Sequence, residues 1–305
     1  MKFAAIDIGS NAVRLLISNV YESINGPVFK KSSLFRLPIR LGEDVFVNGK
    51  ISEKKELRLI KAMLAFKNII DIHEVISYRA CATSAMREAS NGNEVAERVF
   101  QSTGVKIEIV SGSAEAEIIY ANHIAEGLDN KFDYLYIDVG GGSTELTFFS
   151  NGFIKSSSSF NIGTIRLLHE KVEKWQWDEM KTWIKQQVIS NKPIQAIGSG
   201  GNINKLYKLA KIKKEGKPLS YEKLKELEVI LNKFSYEERM ELIGLNPDRA
   251  DVIVPASKIY LTAMKIANCK KIYVPQIGMP DGLVHLQYEA YKNKLDNATK
   301  TYWQD

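Results

Sequence analysis

Short apolar runs alternate with glycine- and hydroxyl-rich turns in two stretches of the chain, and the two stretches share one design. Phe3-Ala4-Ala5-Ile6 and Val13-Arg14-Leu15-Leu16-Ile17 flank Asp7-Ile8-Gly9-Ser10-Asn11. Tyr134-Leu135-Tyr136-Ile137 and Leu146-Thr147-Phe148-Phe149 flank a turn that runs from Asp138 through Gly140-Gly141-Gly142-Ser143-Thr144 to Glu145. Runs of this length bounded by glycine and small polar residues predict strands joined by turns. Each outgoing strand then meets an Asn-Gly pair, Asn25-Gly26 in the first stretch and Asn151-Gly152 in the second. Asn-Gly is the strongest short hairpin signal. Each half is therefore predicted to open with the same three-stranded meander. A duplication with an acid and a glycine turn at equivalent places predicts two similar domains facing each other across a phosphate.

The remaining elements alternate between the two periods. Strands are predicted over Leu34–Leu41, Val75–Ala82 and Lys106–Val110, then through Ser156-Ser157-Ser158-Ser159 between Ile154 and Phe160, and again over Ile194–Ile197 and Ile272–Pro275. Ser52 has the character of an N-cap, and Leu57, Ile60, Met63, Leu64 and Ile70 follow it near a helical period. Further helices are predicted over Ser113–Ala125 and Asp248–Ile266 and from Gly278-Met279-Pro280 onward. The class is α/β, with domains at 1–127 and 128–305, Asp129-Asn130-Lys131 as the connection, and the last helix a candidate to pack back on the first domain.

Composition narrows the class without choosing a function. A chain of 305 residues with 45% apolar and 26% charged residues has ample length for two cores and the make-up of a soluble globular protein. Asp7 interrupts the apolar start too early for a signal peptide, and no stretch approaches the roughly 20 apolar residues of a membrane span. Two cysteines imply no disulfide framework, so a cytoplasmic location is the default expectation, with no membrane partner. The formal charge of +6 suits a polyanionic substrate but equally suits other partners.

Candidate chemistry gathers at the turns. Consecutive glycines let backbone N–H groups approach a ligand, and successive N–H groups form an anion site to which Ser143 and Thr144 add hydroxyls. Asp138 would repel a phosphate unless a cation lay between them, and Mg²⁺ is the natural choice. For either turn alone, a ligand-free Gly-rich β-turn is the simpler reading; the second copy tips the balance. Thr83-Ser84-Ala85-Met86-Arg87 ends a strand where open α/β sheets place ligand groups. Arg87 could grip a phosphate bidentately or pair with Glu88 or Glu94. Gly198-Ser199-Gly200-Gly201 does not fit a dinucleotide fingerprint, since residue 203 is Ile. Lys205, Lys208, Lys211, Lys213, Lys214 and Lys217 read as a solvated face or as a landing strip for a polyanion. His73, His123, His169 and His285 have neither metal nor triad spacing, and no serine-hydrolase elbow or P-loop is present.

Taken in order, Asp7-Ile8-Gly9-Ser10-Asn11, Ala82 through Ala89, Ser111-Gly112 with Glu115-Ala116, Asp138 through Leu146, and Gly198-Ser199-Gly200-Gly201 resemble the exopolyphosphatase and guanosine pentaphosphate phosphohydrolase family. That family is a branch of the actin-like ATPase superfamily. The motifs span residue 3 to about residue 284. The resemblance implies two ribonuclease-H-like domains, each a mixed five-stranded sheet with helices, and a cleft between them. It implies hydrolysis of terminal phosphate from polyphosphate or guanosine pentaphosphate with Mg²⁺ or another divalent cation. Asp138, Glu145 and, through water, Asp7 would hold the metal, and Glu115 would be the base that activates water. Ser10, Asn11, Arg14, Thr83, Ser84, Arg87, Gly140, Gly141, Gly142, Ser143, Thr144, Arg166, Gly198, Ser199 and Gly200 would bind substrate, with Arg40 a further basic candidate. Ala114 stands where the family has an acid, Glu117 where it commonly has Arg, and Pro280 where it usually has Arg. Larger members carry a further C-terminal domain with a His-Asp motif, which this sequence lacks. No nucleic-acid partner is expected, and a homodimer is left open. A small-molecule kinase of the same fold and a non-catalytic nucleotide or polyphosphate sensor are the rival readings.

Overall fold

The computed structural model describes residues 1–122, 129–189, 192–212 and 216–302, with side chains described as far as residue 295. The first meander consists of β1 (Lys2–Ile8), β2 (Val13–Tyr21) and β3 (Val28–Leu37). Helices α1 (Leu41–Asn48) and α2 (Glu53–Ile72) follow, then β4 (Ser77–Ala82), α3 (Ser84–Glu88), α4 (Gly92–Thr103), β5 (Ile107–Ile109) and α5 (Gly112–Tyr120). The second meander is β6 (Asp133–Val139), β7 (Thr144–Ser150) and β8 (Phe153–Phe160). After it come α6 (Thr164–Leu168), α7 (Lys174–Gln187), β9 (Ile194–Ser199), α8 (Gly201–Leu209) and β10 (Leu219–Ser220). The chain continues with α9 (Tyr221–Lys233), α10 (Tyr236–Glu241), α11 (Pro247–Ala250), α12 (Ile253–Ile266), β11 (Lys271–Tyr273) and α13 (Met279–Tyr302).

Two compact units result, and neither is one continuous stretch. The first comprises Met1–Leu41, Gly49–Asn122 and Gly278–Asp305, and the second Gly42–Asn48 and His123–Ile277. Thus α1 packs with the second unit although it precedes most of the first, and α13 packs with the first. The expected boundary at 127/128 and the end of the predicted helix at Ala125 fall outside the described residues, as does His123.

The first sheet has the order β3-β2-β1-β4-β5, with β1–β2 and β2–β3 antiparallel and β1–β4 and β4–β5 parallel. The second has the order β10-β11-β9-β6-β7-β8. Read from β8 inward, the second repeats the first, and β10 adds an antiparallel edge against β11. It therefore holds six strands rather than the expected five. Parallel neighbours need a crossover, and helices supply it in both units.

Local chemistry accounts for the elements and for the places where the sequence pattern misleads. Ser52 caps α2 by accepting from the Lys55 N–H, as expected. The buried face of α2 is Leu59, Met63, Phe66 and Ile70, while Leu57 and Leu64 are exposed. The phase is set by Glu56, which is buried and takes a two-point ion pair from Arg98 on α4 at 2.5 and 2.9 Å. Asn151-Gly152 forms the tight turn between Ser150 and Phe153, both residues at positive φ. Asn25-Gly26 instead lies within a longer connection between Tyr21 and Val28. The helix predicted over 248–266 is broken into α11 and α12. Pro255 sits in the first turn of α12, where its ring would clash with the carbonyl of Asp251 if the helix ran on. Ala256, Ile259, Tyr260, Ala263 and Met264 of α12 then enter the second unit's core beside Leu135, Ile137, Leu146 and Ile203.

Candidate active site

In the first unit the turn between β1 and β2 is closed by the Gly9 N–H donating to the Ala12 carbonyl at 3.1 Å. Register pairs Asp7 with Arg14, so the two side chains share a face of the sheet. Arg14 Nη1 donates to Asp7 Oδ2 at 2.8 Å. Burial raises the Asp7 pKa from its usual range, and the Arg14 charge and hydrogen bond oppose that rise only in part. Behind the turn, the Arg40 N–H donates to the Asn11 carbonyl at 3.0 Å.

The ends of β4 and β5 gather the other first-unit candidates. Ser10 Oγ and Ser84 Oγ lie 2.8 Å apart, both buried. The Thr83 N–H reaches the Ile8 carbonyl at 3.2 Å. Arg87 Nη1 donates to the Val110 carbonyl at 2.8 Å and stands 4.0 Å from Glu115 Oε2. Glu115 is buried in the first turn of α5, whose N-cap Ser111 accepts from the Ala114 N–H. An acid there complements the helix dipole. Helix α13 braces α5, since Gly282 lies so close to the Ile118 carbonyl that a Cβ would come within 1.8 Å of it. Pro280 occupies the first turn of α13, where a missing N–H costs nothing. Cys81 lies beside Asp7 in register, and burial, then the charge of Glu108, pushes its thiol up to about 12, so it is no nucleophile.

The second unit repeats the turn residue for residue. The Gly140 N–H donates to the Ser143 carbonyl at 2.9 Å. Register pairs Asp138 with Glu145, so two carboxylates share a face where the first turn has an acid and a base. Glu145 is buried and accepts from Ser159 Oγ at 2.9 Å. All three glycine carbonyls are turned toward α6. Gly140 accepts from the Thr164 N–H at 3.1 Å, Gly141 from the Ile165 N–H at 2.8 Å, and Gly142 from Arg166 Nε at 2.6 Å. Gly163 makes this approach possible, because a Cβ there would lie 2.3 Å from the Gly141 carbonyl oxygen. In a trans peptide the N–H points opposite to the C=O. The N–H groups of Gly141, Gly142 and Ser143 therefore face away from α6. Among the described residues none of them donates to a backbone carbonyl. Thr144 Oγ1 points inward, donating to the Ile162 carbonyl at 2.5 Å.

The turn after β9 closes on Asp138. A Cβ at Gly200, where φ is +105°, would stand 3.2 Å from Asp138 Oδ1 and 3.4 Å from the Tyr260 hydroxyl. Tyr260 donates to the Ser199 carbonyl, and Ser199 Oγ donates to the Ile277 carbonyl at 3.0 Å. Burial first, and the Asp138 charge second, raise the Tyr260 pKa well above its usual value, so the phenol stays protonated. A Cβ at Gly198 would press on the Ile272 and Ile203 side chains, and one at Gly201 on the Arg249 guanidinium, which donates to Asn202 Oδ1 at 2.9 Å. Ser159, Arg249, Tyr260 and Phe46, whose ring centroid lies 4.0 Å from the Arg166 guanidinium carbon, shape the site without having been singled out in the sequence. Of the lysine-dense segment, Lys213 and Lys214 lie outside the described residues, Lys205 reaches the Gly244 carbonyl at 3.4 Å, and Lys208, Lys211 and Lys217 are exposed.

Among the described residues no group of three His, Cys, Asp or Glu side chains could cage a metal. Two carboxylates paired in register beside a turn with outward N–H groups do fit Mg²⁺, which takes one or two carboxylates and completes its shell with water and phosphate oxygens.

Two sheets of order 3-2-1-4-5 with a shared acidic turn define the actin-like ATPase fold. The profile of the Ppx/GppA phosphatase family matches residues 33–289, and the chain belongs to that family. It is 32% identical over 82% of its length to the bifunctional 3-dehydroquinate synthase/phosphatase of Fusobacterium nucleatum, of which it spans 41%. It is 24% identical to exopolyphosphatase 1 of Mycobacterium leprae, covering 93% of this chain and 88% of that one. The crystal structure of an exopolyphosphatase from Cytophaga hutchinsonii superposes with a TM-score of 0.80 at 23% identity, covering 95% of this chain and 98% of that one. Among the described residues no helix is long and apolar enough to cross a membrane.

Proposed function

We propose that the protein is a phosphoanhydride hydrolase that removes terminal orthophosphate from inorganic polyphosphate, with guanosine pentaphosphate as the other candidate substrate. The observation that carries this reading is the second turn, whose peptide N–H groups are aimed away from α6 beside the facing carboxylates of Asp138 and Glu145. Neutral donors alone would suffice for one phosphate, but two acids at their edge demand a cation. Asp138 and Glu145 would hold Mg²⁺, which when bound supplies charge neutralisation at the phosphoryl oxygens. Asp7, whose Oδ2 is engaged by Arg14, would contribute only through a water. The turn's N–H groups and the Ser143 hydroxyl bind and orient the terminal phosphoryl group. Glu115 positions a water and takes its proton as the water oxygen bonds to phosphorus and the bridging P–O bond breaks. Arg87 Nη1 stands 4.0 Å from Glu115 Oε2. The exopolyphosphatase name of the Mycobacterium leprae relative supports polyphosphate as the first substrate to try.

The test is phosphate release from polyphosphate, guanosine pentaphosphate and ATP, each with and without Mg²⁺, for the wild type and Glu115→Gln. A positioned base contributes about 10²–10⁴-fold, so the variant should lose activity by that factor while its melting temperature stays close to wild type. Near-normal turnover of the variant would remove Glu115 from the mechanism. ATP consumption that depends on an added hydroxyl acceptor would make the protein a kinase instead.

A further inference from the structure

Arg166 is buried, and its position is unusual for a cation meant to meet a substrate. Its Nε donates to the Gly142 carbonyl at 2.6 Å, and its guanidinium carbon lies 4.0 Å from the ring centroid of Phe46. Phe46 comes from α1, which contacts the second unit although it is separated from the rest of that unit by the first unit's helices and strands. The carbonyls of Gly140 and Gly141 are held by backbone N–H groups of α6, but the Gly142 carbonyl is held by this side chain. The equivalent carbonyl in the first turn, that of Asn11, is also held, by the Arg40 N–H at 3.0 Å. Both turns thus fix the peptide that follows their third residue, by different means.

We infer that Arg166, clamped on Phe46, is a positioning residue that fixes the Gly142–Ser143 peptide so that the Ser143 N–H faces a bound phosphate. Glycine at 142 leaves that peptide free to rotate once its carbonyl loses its partner. Rotation would replace a donor by a carbonyl oxygen, which repels the anion. The ring face of Phe46 attracts the guanidinium and limits its rotamers. A charged donor also polarises the peptide in the direction that strengthens its N–H. Arg166 therefore acts on the substrate through the loop, without touching it.

The inference rests on the phosphate-binding reading of the turn, so the primary readout is binding of inorganic phosphate to the whole protein, which does not require turnover. Phosphate is titrated into wild type, Arg166→Ala, Arg166→Lys and Phe46→Leu, each labelled with ¹⁵N at glycine and serine. In the wild type the Gly141, Gly142 and Ser143 amides should all shift. In Arg166→Ala the Ser143 response should vanish while that of Gly141 persists, with affinity falling on the order of tenfold, the size expected for one lost donor. Phe46→Leu should weaken binding in the same direction by a smaller factor, and the double variant should be no worse than Arg166→Ala alone. The salt dependence of phosphate affinity should be unchanged, because the lost donor is a neutral amide. A reduced salt dependence in Arg166→Ala with near-normal binding in Arg166→Lys and Phe46→Leu would mean that Arg166 contacts the anion directly, and would overturn the inference. A Ser143 amide that responds normally in Arg166→Ala would overturn it as well. If the wild type binds phosphate at these amides but releases none from any phosphoanhydride, the hydrolase reading fails and the positioning role stands.

Discussion

The turns at Gly9–Ala12 and Gly140–Ser143 have the same closing hydrogen bond, the same strand order around them and a buttress on the same carbonyl, yet they differ in charge at the register position opposite the aspartate. Opposite the aspartate stands Arg14 in the first and Glu145 in the second. The first turn is internally neutralised by an ion pair of 2.8 Å. The second places two carboxylates side by side, which suits a bound cation. The residue opposite the aspartate therefore distinguishes the two copies of the motif electrostatically. The buttress differs in kind too: a backbone N–H in the first turn, and a cation on an aromatic ring in the second.

Breaking the difference should have the largest effect. Glu145→Arg would give the second turn the ion pair of the first, and we expect activity to fall by roughly 10²–10³-fold, the scale for losing a fixed electrostatic element. The same variant should lose its response to added Mg²⁺ in phosphate-release assays; retained Mg²⁺ dependence would show that Glu145 is not a metal donor. A middle-sized effect is expected on stability. Gly163→Ala forces a methyl onto the Gly141 carbonyl, 2.3 Å away, where only backbone movement gives relief. Overpacking of this kind costs about 1–3 kcal/mol, measurable by denaturant titration, whereas an alanine at exposed Gly49 has no neighbour within 4 Å and meets only the strain of its positive φ.

The smallest effect concerns Asp7. Its pKa is raised from 3.8 by burial, so the folded state binds a proton more tightly than the unfolded state does. Stability from this group is then fully present below pH 3.8 and is lost as pH rises through the folded value. Asp7→Asn should flatten that part of the stability-against-pH curve, read by thermal melts from pH 3 upward. A steeper curve in the variant would mean that the Arg14 ion pair outweighs burial.

Both acidic turns and their strands were legible in the sequence because each rests on local chemistry: a run of β-type residues, an acid, a glycine; Glu115 stood out only through the family resemblance. What surrounds them was not. Phe46 carries no motif, and its stacking on Arg166 depends on α1 packing with residues far along the chain. Arg249 and Tyr260 reach the Gly198–Asn202 turn only after α11 and α12 separate, and that break was hidden in a periodic pattern that Pro255 interrupts from within the first helical turn. Arg14 and Arg166 read as cations available to a substrate. Each also serves the protein itself, Arg14 through Asp7 and Arg166 through the Gly142 carbonyl. Residue type foretold charge, but only register and packing tell where the charge is spent. The sixth strand, β10, is too short to register as a periodic signal.

Helix α13 carries a consequence for how the chain reaches this state. Gln287 Nε2 donates to the Ala4 carbonyl at 2.9 Å, and Phe3 meets Tyr288 and Tyr291 edge-on. One face of the sheet that holds β1 is thus left uncovered until α13 has been made. During synthesis the second unit can assemble first, N-terminal order notwithstanding, while Phe3 and its neighbours stay open to water or to a chaperone.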